Sequence, residues 1–192
     1  MRLSRVLTGL AACLLLASCA DKTNHQAAPT TSAHDWRDAT YTITCDGVVP
    51  DGFPAALHDG VAKVPADIGQ TQFYDDFEVR LEATATGDLD GDGRSDTVVL
   101  LQCSPQPSNG IVEEVQVFDA DDHLIAELPS PRTMRQADVL PPVYDPEGLK
   151  VVNGEIVAAM KVYQPGDTHA GGPSGRQTFR WQWDGKHFEQ LP

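Results

Sequence analysis

The chain has 192 residues, with 28 Asp plus Glu against 14 Lys plus Arg and a formal net charge of −14. That balance excludes a nucleic-acid partner, because phosphate binding runs on clustered Lys and Arg, and the length leaves room for one domain rather than two. A composition 41% hydrophobic excludes wholesale disorder, and four cysteines are too few for a disulfide-dense miniature scaffold.

Met1 to Arg5 carries Arg2 and Arg5 and no acid, and Val6 to Leu16 is apolar apart from Thr8 and Gly9. A charged start followed by about eleven apolar residues predicts a secretory signal, too short for a spanning helix of about 20 residues. Leu16-Ala17-Ser18-Cys19 follows, and small residues ahead of a Cys resemble the lipobox of bacterial lipoproteins. The resemblance implies that residues 1–18 are a lipoprotein signal peptide. It also implies that Cys19 becomes the first mature residue, lipidated on its thiol. Removing Arg2 and Arg5 leaves 12 basic and 28 acidic residues, a net charge of −16 on the mature chain. Anionic lipid repels such a surface, so the acyl group must hold the protein at the membrane. The expected location is the outward face of the cell envelope. Residues 19–35 read as the lipidated Cys and a polar tether, with His25 and His34 as solvated linker residues. Residues 36–192 remain for a single β-rich domain.

In that part the hydrophobic period is mostly two. Thr40 to Cys45 is rich in β-branched and aromatic residues. Pro54 to Val64 is a candidate short helix, weakened by Gly60 and Pro65. Phe77, Val79, Leu81, Ala83 and Ala85 alternate with polar residues, which predicts a strand with one wet face. Val98-Val99-Leu100-Leu101 is apolar on both faces and should be a central strand. Ile111 to Phe118 and Leu124 to Leu128 are two further strands. Leu149 to Val152 and Glu155 to Tyr163 flank Asn153-Gly154, a pair suited to a type I′ hairpin turn. Gln177 to Trp183 and Lys186 to Leu191 flank Asp184-Gly185 in the same way. The expected fold is mainly β: a single antiparallel sandwich or partly open barrel with little helix.

If Cys19 carries lipid, Cys45 and Cys103 are left as a pair in an oxidising compartment, which predicts a disulfide. The loop with the clearest chemistry is Asp88-Leu89-Asp90-Gly91-Asp92-Gly93-Arg94-Ser95-Asp96. Calcium takes six to eight hard oxygen ligands, and alternate residues in a tight loop can point inward together. Asp88, Asp90 and Asp92 are therefore expected to converge. Gly93 stands where the chain must turn sharply and a Cβ would clash. Arg94 would offer its backbone carbonyl while its side chain points to solvent, and Asp96 would add a carboxylate directly or through water. Structural Ca²⁺ is thus the expected cofactor. Val99 at position twelve cannot supply the bidentate carboxylate of an EF-hand, so the affinity expected is modest, about 10⁻⁴ to 10⁻³ M.

The loop resembles the calcium loops between strands in integrin-type FG-GAP repeats, although one good copy is present where such proteins carry several. The wider chain resembles small acidic lipoproteins of actinobacterial cell envelopes, of the LppP/LprE type. The pieces that carry this likeness are the lipobox, the polar tether, Thr86 to Gly93 leading into Val98 to Cys103, and the tail Phe179 to Phe188.

G-x-S-x-G, H-E-x-x-H and a phosphate loop are all missing from the sequence. Asp167, His169 and Ser174 lie on one Gly-rich loop and are poorly suited to form a rigid triad. Glu113-Glu114 and Asp75-Asp76 should project to opposite faces as solvated charges. The reading is a non-catalytic, calcium-stabilised envelope lipoprotein, expected to be a monomer, that binds an envelope protein or glycan. Two alternatives stand beside it. One is an envelope hydrolase, which needs a pocket with converging His and carboxylates near residues 164–176. The other is a carbohydrate-binding module stacking sugars on Trp181 or Trp183, for which core packing is the favoured role.

Overall fold

The computed structural model describes residues 34–66, 73–135 and 138–192, within one compact unit that starts at His34. The expected signal peptide, Cys19 and nearly all of the expected tether lie outside the described residues. Among the described residues, eleven strands form three antiparallel sheets, none closed into a barrel. β1 (Thr40–Ile43) and β2 (Phe53–Ala56) pair as one hairpin. The central sheet has the order β3-β4-β5-β6-β7, from β3 (Val61–Pro65), β4 (Asp76–Gly87), β5 (Asp96–Gln106), β6 (Val112–Phe118) and β7 (Leu124–Glu127). The third has the order β11-β10-β9-β8, from β8 (Val143–Val152), β9 (Glu155–Val162), β10 (Gly175–Trp183) and β11 (Phe188–Gln190). No helix among the described residues is long and apolar enough to cross a membrane.

β5 explains the layering. Val99, Leu101 and Cys103 on one face join a core with Tyr41, Ile43 and Phe53 of the β1–β2 hairpin. Val98 and Leu100 on the other face join a core with Tyr144, Ile156, Met160 and Trp181 of the four-stranded sheet. The run 98–101 is therefore the predicted central strand, apolar on both faces because both faces are covered. β4 serves both cores by a different device. Its register with β5 shifts between Leu81 and Ala83. Phe77, Val79 and Leu81 point to the first core, while Ala83 and Ala85 point to the second. The expectation of one apolar face along 77–85 is corrected by this β-bulge, since one extra residue swaps the faces of all that follows.

Two turn expectations differ in outcome. Asn153 and Gly154 both have positive φ, 52° and 78°, and join β8 to β9 as a two-residue turn. Between β10 and β11, Trp183 pairs with Phe188, so the loop spans four residues rather than two. The Asp184 carboxylate accepts the Lys186 and His187 N–H groups and shapes that longer loop. The helix expected over 54–64 is also corrected. That segment is β2, a turn and β3, with Asp59 and Gly60 at φ 52° and 82° in a hairpin-like reversal. Asp-Gly is itself a turn signal of the kind recognised at 153–154.

Cys45 and Cys103 are at disulfide bonding distance, with Cα atoms 5.5 Å apart across 58 residues. The pair staples the end of the β1 segment to the central strand. Polar groups reinforce the same junction. Glu114 accepts from the Thr44 N–H and hydroxyl and from the Asp46 N–H, and the buried Gln116 amide donates to the Thr42 carbonyl.

Candidate functional site

The loop at 88–96 is the connection between β4 and β5, closed by the pairing of Gly87 with Asp96. Leu89 is buried in the second core and pins the loop from below. Asp88 then orders the turn, since its two carboxylate oxygens accept the Gly91 and Gly93 N–H groups. Asp96 is 1% exposed and accepts the Leu89 N–H at 2.8 Å. One carboxylate oxygen each from Asp88, Asp90 and Asp96 lie within 4.8 Å of one another. Two oxygens bound to one Ca²⁺ at about 2.4 Å stand at most about 4.8 Å apart, so each pair of these three oxygens is close enough to share an ion. Burial, with the nearby Asp90 and Asp92 charges, pushes the Asp96 carboxyl above the usual carboxylate range. A divalent cation would reverse that tendency.

Asp92 is not brought into this cluster. Its carboxylate accepts the Arg94 N–H at 2.7 Å and the Arg94 Nε–H at 2.9 Å, and these bonds hold it below the usual carboxylate range. The Arg94 side chain does not simply point to solvent, because it also reaches Asp121 at 2.9 Å on the β6–β7 loop. The Arg cation balances Asp92 and leaves the other three carboxylates to converge. Gly93 has φ +83°, but a Cβ there would meet nothing within 4 Å. Glycine suits the position through its backbone conformation rather than through crowding.

A second site is not located by the sequence reading, which names only a pocket near residues 164–176 as the requirement of a hydrolase. A cavity of about 450 Å³ opens between the start of β6, the segment leading into β8 and the far end of β9. Glu113 lies in its wall, only 9% exposed, with the Tyr144 N–H donating to its Oε2 at 2.9 Å. Burial pushes its carboxyl up to about 7, against the opposing pull of that hydrogen bond and of Lys161. Lys161, His169, Asp46 and Arg132 also line the cavity, and Arg132 Nε is 2.6 Å from Asp46. The opposite projection of Glu113 and Glu114 holds, but neither is a merely solvated charge. β6 is covered on both faces, so each carboxylate enters a packed junction. The polar residues at 113, 114 and 116, taken alone, could not reveal that both faces are covered.

His169 and Pro173 of the 164–176 loop line the same cavity as Glu113 and Asp46. The triad order is nonetheless absent. Asp167 accepts directly from the Ser174 N–H and Oγ–H, at 2.9 and 3.0 Å, and from the Gln164 N–H at 2.7 Å. Those bonds lower the Asp167 carboxyl and close the loop on itself. Trp181 is fully buried and belongs to the core, so it offers no sugar platform. Trp183 is half-buried and tilts against Phe188 with ring centroids 5.0 Å apart. His34, expected in the tether, instead lies 4.3 Å from the Trp36 ring and 3.1 Å from Asp122. Asp184, His187 and Glu189 form another cluster of potential metal ligands, all three exposed.

Comparison with protein-family models, curated proteins and solved structures finds no match to this chain.

Proposed function

We propose that the protein is a non-catalytic lipoprotein of the cell envelope, anchored through Cys19, whose β domain is stabilised by Ca²⁺ and holds a small ligand or partner outside the membrane. The observation that carries the calcium part is the convergence of Asp88, Asp90 and Asp96 within 4.8 Å on a loop pinned by buried Leu89. Three carboxylates, backbone carbonyls and water can complete a hard-oxygen shell of six or more ligands. Because the loop joins two strands of the central sheet, cation binding favours the folded state, and a structural role follows more directly than a signalling one.

The test is a pair of thermal melts of the mature domain, in 10 mM Ca²⁺ and in excess chelator. With a Kd of about 10⁻⁴ to 10⁻³ M, about 10 mM Ca²⁺ stabilises by about 1.4–2.7 kcal/mol, or about 3–10 °C in Tm. Asp90→Asn should remove most of the difference, whereas Asp184→Asn should leave it unchanged. Coincident melts with and without calcium overturn the ion site. The anchor has its own test. In an exporting bacterial host the full chain should fractionate with membranes, and Cys19→Ala should move it to the soluble fraction. A membrane-bound Cys19→Ala chain overturns the lipid anchor.

A further inference from the structure

We propose that the cleft between β6, the approach to β8 and β9 binds a small apolar monocarboxylate, with the ligand's carboxylate on Lys161 and Glu113 and its apolar body along Ile111, Leu140 and Pro142. The inference deepens the reading of the chain as a binding protein and rests on that reading; it does not depend on calcium.

The size is right for a small molecule, because about 450 Å³ falls inside the usual range of ligand cavities, about 300–1,000 Å³. The walls are apolar in a way the fold does not require. Ile111 is 57% exposed and Leu140 is 37% exposed, two of the few large hydrophobic residues left open among the described residues. Prolines 131, 141, 142 and 173 also line the cleft. Their φ is already fixed, so little backbone entropy is lost on binding.

The charge pattern selects the ligand's head. Most Arg and Lys side chains of the described residues have a described carboxylate within 4.0 Å: Arg37, Lys63, Arg80, Arg94, Arg132, Arg176 and Arg180 each do. Arg132 and Asp46 thus neutralise one another at the cleft wall. Lys161 makes no such pair among the described residues, although it is near enough to Glu113 to favour that residue's ionised form. Glu113 commits Oε2 to the Tyr144 N–H, while Oε1 has no protein partner among the described residues. Protonated, it can donate a hydrogen bond to a bound carboxylate while Lys161 supplies the counter-charge. One uncompensated cation and one neutral donor suit a single negative charge better than a phosphate dianion. An amine would meet Lys161 unfavourably.

Binding should therefore carry proton uptake at Glu113, whose carboxyl is held at about 7. The charged and titratable groups around it are Glu82 on β4, Lys161 on β9, the Tyr144 hydroxyl on β8, and, on the cavity wall, the Asp46–Arg132 pair, His169 and Tyr163. Glu82 and an incoming carboxylate both push Glu113 toward its protonated form.

Calorimetric titration of the mature domain with phenylbutyrate, phenylbutanol and phenylbutylamine separates the ligand classes. Phenylbutyrate should bind about tenfold or more tightly than either counterpart, and Lys161→Gln should weaken it by about tenfold, as expected for one charge-assisted contact. From about pH 6 to about pH 8 the affinity for phenylbutyrate should fall about fivefold or more, and Glu113→Gln should flatten that dependence. A pH dependence that survives in Glu113→Gln assigns the proton to His169 and overturns the role of Glu113. Preference for the amine, or no heat from phenylbutyrate at millimolar concentration in the parent chain, overturns the site. Calcium-dependent melting is read in the same samples, so a failed cleft with intact calcium stabilisation is told apart from a failed calcium loop. Release of acid from phenylbutyrate ethyl ester would overturn the non-catalytic reading while leaving the cleft as a binding site.

Discussion

Replacing Cys45 and Cys103 together by alanine should lower the Tm of the folded unit by about 8–16 °C. The pair spans 58 residues, for which closing the unfolded chain is worth about 4 kcal/mol. A domain of this size shifts by about 2–4 °C per kcal/mol. The loss should not be even across the fold. Cys45 ties the β1–β2 hairpin to β5, and that hairpin has only two strands of its own. Its other ties to the central sheet are apolar packing and the Glu114 and Gln116 hydrogen bonds. Amide exchange should therefore accelerate more over Thr40–Ile43 than over Glu155–Val162 in the double variant. A non-reducing melt of the double variant within about 2 °C of the parent chain shows that the cross-link contributes nothing, and the entropic account of it fails.

The parts of this fold that are legible in the sequence are those whose signals are local. Val98 to Leu101 announces a strand covered on both faces because no polar residue interrupts it, and the two cores meet on it. Asn153-Gly154 announces its hairpin because both residues tolerate positive φ. The misread parts depend on contacts distant in sequence. Residues 77–85 read as one apolar face, because a bulge leaves no mark in the alternation until its partner strand is known. Pro54 to Val64 reads as a candidate short helix, yet β1 and β4 offer it two partner strands, and the ladder overrides local preference.

The site divides along the same line. Asp88, Asp90 and Asp96 converge within one hairpin loop, so their spacing is informative. Asp92 shares that spacing but is claimed by Arg94, a competition that counting carboxylates does not resolve. The cleft is invisible in the sequence because it assembles residues from 46 to 173, each unremarkable where it stands. Its strongest signal, Glu113, lies in a pair that reads as solvent-facing. An acidic residue among the apolar positions of a strand beside a two-faced neighbour is the feature that could have marked it.

Glu113 also carries the second large expected effect. Its carboxyl is raised from an ordinary 4.5 to about 7 in the folded protein, first because it is buried. A raised carboxyl binds its proton more tightly folded than unfolded. Its contribution to stability is therefore fully present below about pH 4.5 and is lost as pH rises through about 7. Above that, the ionised group sits in a desolvated site. The cost is up to about 3 kcal/mol, since each tenfold change in proton affinity is worth about 1.4 kcal/mol. Glu113→Gln removes the ionisation while its side-chain oxygen can still accept the Tyr144 N–H. At about pH 8 the variant should be more stable than the parent by up to about 3 kcal/mol in urea melts, and at about pH 4.5 the two should nearly coincide. Lys161→Gln should act in the opposite sense at about pH 8, because it removes the cation that favours the ionised carboxylate. Equal stability of Glu113→Gln and the parent at both pH values would mean that the carboxylate is well solvated, and the cleft would then lack its protonated donor. A stability gain at high pH coupled to weaker carboxylate binding at low pH would place both effects on one atom pair. The group that weakens the fold at alkaline pH is then the one that gives the cleft its preference for an acid.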